Sequence, residues 1–544
     1  MRKAKASGTL SLLTLALLVA VTTGCGVFQS QEEEGGGNQN TLTLNLEADI
    51  VDLNPSTVTD VYSFNILNNV MEGLYRLDEN EKPQPAMAES VETSDDSLTH
   101  TFKLRDGIEW SNGEPVTSQD FKYAWLRAMD PDTASQYARI LADYIDGGAD
   151  FNTGEAEPES VGIETPDDRT LVVTLAKPTP FFLSLTAFPT YFPLNQEFAE
   201  QQGDQFAQSA DALLYNGPYT LSEFSPSEGV TFVKNDGYWD KGNVNIEQVK
   251  GRVVKEADTA VNLYQSGELD AVNLTSEYVD QYRDSPEFTT QTSFGTGYLE
   301  MNQQDPVLQN QNIRQAILRG LDRRALAYGV LKNGSQPADG FVPTGVVTGI
   351  EGQTFREAAG PVVPEFDPGQ ARILYEQGVQ ELGSEPTLEL LIDDTSESRD
   401  IATFLQSQFE ENLGARVEVN QQPFDKMLEL TQNGDYQLAA AGWAADYNDP
   451  MTFLDLFLSD SPSNHPRLRN ERYDRLVSDA KAEADPQERL NLLVEAERIL
   501  VEEQAAIAPT AYRGRALLVQ PYLKNYKEHP YGPTLELKSM RIEK

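Results

Sequence analysis

Residues 387–450 read TLELLIDDTSESRDIATFLQSQFEENLGARVEVNQQPFDKMLELTQNGDYQLAAAGWAADYNDP. The run from Thr387 to Ile392, rich in Leu and Ile, reads as a strand. Residues 397–413 then read as a helix that stops at Gly414. Residues 416–420 return to strand, 424–432 to a helix ending near Gly434, and 436–441 to strand. One more helix precedes them. Asp367 is its N-cap, Pro368 takes the first helical position, Gln370 suits a capping box and Gly383 is the stop. Strands that alternate with helices pair in parallel through right-handed crossovers, so the chain is predicted to be α/β. Ligands of such sheets collect beyond the carboxyl ends of the strands.

Residues 442–450 lie just past the third of those ends and set the acid Asp446 between Trp443 and Tyr447. A carboxylate with aromatic walls is a seat for a cation. A strand end followed by an ordinary polar turn accounts for the same residues. Pro450 is expected to stop regular structure.

The 544 residues exceed one simple core and predict two or three domains. The 22 Tyr and 23 Phe argue against overall disorder. Residues 1–24 read as a signal peptide. Arg2, Lys3 and Lys5 precede an apolar run from Leu10 to Val21, which is too short to span a bilayer. Cys25 follows and is the only cysteine, so no internal disulfide can form. The arrangement resembles a bacterial lipoprotein signal with Cys25 as the lipidated residue, although Thr22 stands where a branched apolar residue is usual. Residues 25–40, with three Glu and three Gly in a row, read as a flexible tether. The body beyond it is expected to be extracytoplasmic.

The 42 basic and 86 acidic residues give a net charge of −44, or −47 without residues 1–24. Nucleic acid is therefore a poor partner, since phosphate binding needs basic surface. Adaptation to a saline medium accounts for the charge without a functional role.

Along the chain, 41–46 alternates as a strand, and 63–75 reads as a helix with Ile66, Leu67, Val70, Met71 and Leu74 on one face. Residues 98–107 form a strand and turn, and Thr117 with Asp120 resembles a capping box opening a helix that buries Phe121, Ala124, Trp125 and Ala128. Residues 215–221 read as a turn entering a strand, further strands are expected at 169–175, 230–234 and 269–272, and helices at 257–267, 312–321 and from Pro486 to about 506. Extended segments return from Pro509. The Gly- and Pro-rich residues 341–364 read as a surface excursion at the mouth of a cleft. No catalytic constellation is visible. His100, His465 and His529 lack metal-ligand spacing, and neither a nucleophile elbow nor a P-loop occurs. Among 86 acids nothing selects a hydrolytic pair. No enzyme activity, metal or cofactor is expected.

Several stretches together carry a resemblance. They are Leu53-Asn54-Pro55 with Glu72-Gly73-Leu74, the run from Thr101 to Gly113, Val116 to Phe121, Tyr215 to Leu221, and 442–450. The chain resembles the periplasmic and lipoprotein oligopeptide-binding proteins of ABC importers, the family 5 extracellular solute-binding proteins. The resemblance implies a two-lobed periplasmic-binding-protein-like fold with mixed sheets and an extra third domain. It implies lobe one at 41–71, 194–296 and 509–544, the extra domain at 72–193, and lobe two at 297–508. An extended peptide lies in the closing cleft and pairs with the backbone of Thr59 to Val61 and Gly442 to Ala444, with Trp443 and Tyr447 beside it. By resemblance Asp446 takes the peptide's α-ammonium. An ionised Asp accepts only, which suits a group with three donors. Two positions that hold arginine in enteric members are Thr431 and Ala440 here, which leaves Arg399, with Lys332 nearby, to meet the carboxylate. The implied partners are the permease and its ATPase subunits, and the implied state is a monomer on the cell membrane. Relatives tuned to dipeptides, signalling peptides, nickel chelates or oligosaccharides are the alternatives, and Asp446 favours an amine-bearing ligand among them.

Overall fold

The computed structural model describes residues 40–179, 181–483 and 485–543. The expected signal peptide, Cys25 and nearly all of the tether lie outside the described residues. The described chain opens with β1 (Thr41–Leu46) and α1 (Val61–Val70). Then come β2 (Ala88–Thr93), β3 (Thr99–Leu104), α2 (Ser118–Met129), β4 (Ile163–Asp167) and β5 (Thr170–Thr174). These four strands make a small antiparallel sheet in the order β2-β3-β5-β4, against which α2 packs. The reciprocal capping box of Thr117 and Asp120 is present, and Phe121, Ala124, Trp125 and Ala128 are buried as the helical spacing requires.

The chain continues with β6 (Tyr219–Ser225), β7 (Gly229–Lys234), β8 (Gln248–Val253), α3 (Ala257–Gln265), β9 (Ala271–Asn273) and the long β10 (Phe288–Met301). The carboxyl half adds α4 (Gln311–Gly320), α5 (Pro368–Leu382), β11 (Thr387–Ile392), α6 (Ser396–Leu413), β12 (Arg416–Gln421), α7 (Phe424–Asn433), β13 (Leu438–Ala444), α8 (Pro486–Arg498) and β14 (Ile507–Val519). One large mixed sheet runs β12-β11-β13-β10-β14-β9-β1-β8-β7-β6. β11 pairs in parallel with β12 and β13, as the alternation of elements predicts. Its helices end on Gly383, Gly414 and Gly434, each at φ 77°, a left-handed turn that glycine makes without strain. No helix of the described residues is long and apolar enough to cross a membrane.

Four local expectations need correction. The first helix ends at Val70, not at Tyr75, because Met71 turns extended and Glu72 is held elsewhere. The buried Glu72 carboxylate accepts from Tyr238 at 2.5 Å and Trp239 at 2.7 Å, while Asn216 bonds both backbone groups of Glu72. Tertiary contacts there override local periodicity. The strand expected at 436–441 runs instead from Leu438 through Ala444, so the first residues of 442–450 belong to the sheet. Pro450 ends nothing; it caps a short helix at Met451–Leu454, where a residue without an N–H is tolerated. Residues 341–364 are not a surface excursion throughout. Phe341, Val342, Val346 and Phe355 are buried. The fully buried Glu497 of α8 accepts from the N–H groups of Phe341 and Val342 at 2.8 and 2.9 Å and from the Arg356 guanidinium. A buried acceptor supplies what secondary structure does not.

Candidate binding cleft

β13 passes through the sheet with a partner on one side only for much of its length. β11 meets it at Leu438 and Ala439 and no further. On the other side β10 pairs with it in antiparallel register from Leu438 to Ala444. The Ala445 N–H bonds the Phe294 carbonyl at 2.8 Å, which fixes the phase of that ladder. Residues 441, 443 and 445 therefore turn their peptide groups toward β10, and Gly442 and Ala444 present theirs on the opposite, unpaired edge.

That edge faces a cavity of about 360 Å³. Its walls come from the start of the chain (Thr59 to Tyr62), from Tyr137, from Lys255, from Asp393 to Ser398 and from β13 and β14. Thr59 and Val61 both line it, but neither is a strand residue: Thr59 is irregular and Val61 opens α1. Asp60 between them caps α1 by accepting from the Ser63 N–H at 2.9 Å. Burial pushes its carboxyl up to about 6.

Asp446 stands at the end of the open edge, half-buried with its carboxylate toward the cavity. The Tyr137 hydroxyl donates to Oδ1 at 3.3 Å and the Thr452 hydroxyl to Oδ2 at 3.3 Å. Thr452 also accepts from the Asp446 N–H at 3.0 Å, which holds the turn. Among the described residues no cation pairs with Asp446. Loss of water raises its pKa well above the ordinary value of 3.8, Asp455 adds to the rise, and the Tyr137 and Thr452 hydroxyls oppose it. A carboxylate so placed gains from any cation that arrives with donors of its own.

The aromatic walls differ from the expected pair. Trp443 lines the cavity, and its ring stacks on Tyr137 at 6.3 Å with 14° between planes. Tyr447 is turned away from the cavity, contrary to expectation. It is buried, stacked on Phe181 at 4.8 Å, with its hydroxyl 3.2 Å from that of Tyr144. The chain bends from Asp446 onward, so Trp443 and Tyr447 do not share a face as they would along one strand. Tyr137 supplies the second wall, and no local sequence signal marks it.

Arg399 is corrected too. It pairs with Glu256 at 2.6 Å and donates to the Asp394 carbonyl at 2.8 Å, outside the cavity lining. Lys332 is likewise taken by Asp280 at 3.2 Å. Thr431 and Ala440 do line the cavity, without charge.

Residues 82–465 match the family described as bacterial extracellular solute-binding proteins, family 5, middle region. The chain belongs to this family. Among family 5 relatives, the dipeptide-binding protein DppE of Bacillus subtilis (strain 168) is 34% identical over 490 residues, which cover 90% of this chain and 89% of DppE. The oligopeptide-binding protein OppA of the same organism is 32% identical over 476 residues, covering 86% of each. The structure of Listeria monocytogenes OppA bound to peptide superimposes with a TM-score of 0.90 at 38% identity, over 93% of this chain and all of that one (100%). The α/β, two-lobed periplasmic-binding-protein-like fold is thus that of the family 5 proteins.

Proposed function

We propose that this chain captures extended peptides outside the cell and delivers them to an ABC permease with its ATPase subunits. One observation carries the reading: Asp446, an acid with no countercharge among the described residues, closes one end of an unpaired strand edge inside a cavity. The edge at Gly442 and Ala444 offers main-chain hydrogen bonds to any backbone, so affinity does not depend on sequence. Waters in the cavity adapt to each side chain. The Asp446 carboxylate takes the α-ammonium and fixes register, with Trp443 as a wall. The family 5 relatives described above carry names or titles that state dipeptide or oligopeptide binding.

The lobes divide as 41–71 with 194–296 and 509–544, and 297–508; the separate sheet of β2 to β5 supports a third domain at 72–193. Residues 1–24 are removed, Cys25 is lipidated and 25–40 tethers a monomer to the cell membrane. The protein needs no cofactor and is not an enzyme. Native mass spectrometry of the purified protein tests the main claim. Co-purified peptides of mixed sequence and narrow length support it; a sugar, a metal chelate or turnover of an added peptide overturns it.

A further inference from the structure

Among the described residues, four basic side chains line the cavity: Lys255, His465, Arg513 and Arg515. Three are already matched. Lys255 bridges Asp49 and Asp394 at 2.8 and 2.9 Å, His465 faces Glu300 at 3.3 Å, and Arg515 meets Glu528 at 3.0 Å. Arg513 is exposed to the cavity and makes no hydrogen bond or ion pair within the described residues. Its charge reaches Glu397, whose carboxyl it pulls down against the larger effect of burial.

The side chain has a defined course. Arg513 belongs to β14, and β10 lies between β14 and β13. A Cβ added to Gly295 would lie 3.5 Å from the Arg513 Cδ, one on Gly297 4.0 Å from Nε, and one on Gly442 only 2.3 Å from Nη2. The arginine thus lies flat across the middle strand over positions that carry no side chain. It sets its guanidinium against Gly442, whose peptide group is on the open edge. Any larger residue at 442 would displace it.

We propose that Arg513 is an anion subsite that takes a ligand carboxylate level with the third residue of a bound peptide. The inference rests on the peptide reading above. With its ammonium at Asp446, a peptide on the open edge must run antiparallel to β13. Its first residue then lies opposite Ala444 and its third opposite Gly442, at about 3.4 Å per residue. A guanidinium fork matches a carboxylate with two parallel donors. The carboxylate is either the C-terminus of a tripeptide or an acidic side chain at the third position.

Calorimetry on the purified protein separates these sources. Ala-Ala-Ala is compared with its C-terminal amide, and Ala-Ala-Glu-Ala amide with Ala-Ala-Gln-Ala amide. At least one acid member binds roughly tenfold or more tightly than its neutral partner, the worth of a charge-assisted hydrogen bond. Arg513→Gln removes that preference and leaves affinity for the neutral peptides within about twofold, which also shows that the fold is intact. Arg513→Lys, shorter and without the fork, retains only part of it. Equal binding of acid and neutral peptides by the wild type, or a preference that survives Arg513→Gln, overturns the subsite. Failure of every peptide to bind instead overturns the peptide reading itself.

Discussion

The Tyr137 hydroxyl lies 3.3 Å from Asp446 Oδ1 and joins segments 309 residues apart. Its phenol stays neutral, since burial and the neighbouring Asp446 push its pKa well above the usual value. It is thus a fixed donor to the carboxylate. Tyr137→Phe removes the donor but keeps the ring that stacks on Trp443. The Asp446 carboxyl then titrates at still higher pH. Peptide affinity falls by about tenfold, in line with one hydrogen bond to a charged group. The pH midpoint of binding moves up, and calorimetry from acid to neutral pH measures both. An unmoved midpoint contradicts the role given to Tyr137.

Asp446 should make the ligand-free protein pH-sensitive. Its folded pKa is raised above 3.8 by lost hydration. A raised acid holds its proton more tightly when folded, so stability is full below the unfolded value and declines as pH climbs to the folded one. Asp446→Asn abolishes that decline. The ligand-free variant melts above the wild type at neutral pH, and the gap closes toward pH 3.8. The same variant loses roughly 3 kcal/mol, about a hundredfold, of affinity for peptides with a free amine, because a buried charge then lacks its partner. N-acetylated peptides bind the wild type weakly and lose nothing on Asp446→Asn, since the variant has no carboxylate to leave unpaired.

Lys255 ties the two sides of the cleft by bonding Asp49 next to β1 and Asp394 next to β11, at 2.8 and 2.9 Å. All three side chains are partly exposed, so the pair of bonds is worth about 1 kcal/mol after solvent screening. Lys255→Met is expected to speed peptide release about fivefold at low salt, with little difference from the wild type at high salt. Stopped-flow dissociation at two ionic strengths decides it. An equal change at both would mean that packing, and not charge, is what the lysine supplies.

The Arg356 and Glu497 side chains are 6% and 0% exposed. Arg356→Met leaves Glu497 buried without its countercharge and should destabilise the fold by about 3–5 kcal/mol. Urea unfolding measures the loss. Peptide affinity at low urea should be nearly unchanged, because neither residue reaches the cavity.

The alternation from 387 to 444 is legible in sequence because its stops are local. A glycine at positive φ ends each helix, and an N-cap or proline begins the helix at 368. The open edge at Gly442 is half legible. Its place at the carboxyl end follows from strand order, but the strand's extension through Ala444 depends on β10, a segment far earlier in the chain that pairs along the whole of β13. Tyr137 is not legible at all, because a distant segment brings it to Asp446. The expectations for Tyr447 and Arg399 failed for a related reason: spacing cannot say that one ring will stack on Phe181 or that a guanidinium will find Glu256 first. Arg513 escapes notice because three glycines on neighbouring strands make room for it.

That Asp446 has no countercharge among the described residues has, on the proposed reading, a consequence for the empty protein. A closed cleft with nothing in it holds a poorly hydrated carboxylate, and opening restores its water. An amine-bearing cargo removes the penalty without opening. The empty protein is therefore biased toward the open form, and closure becomes a report of occupancy. A permease that responds only to the closed form learns that cargo is present without learning its sequence. On the proposed reading, one acid then holds in check futile docking, with ATP hydrolysed and nothing moved.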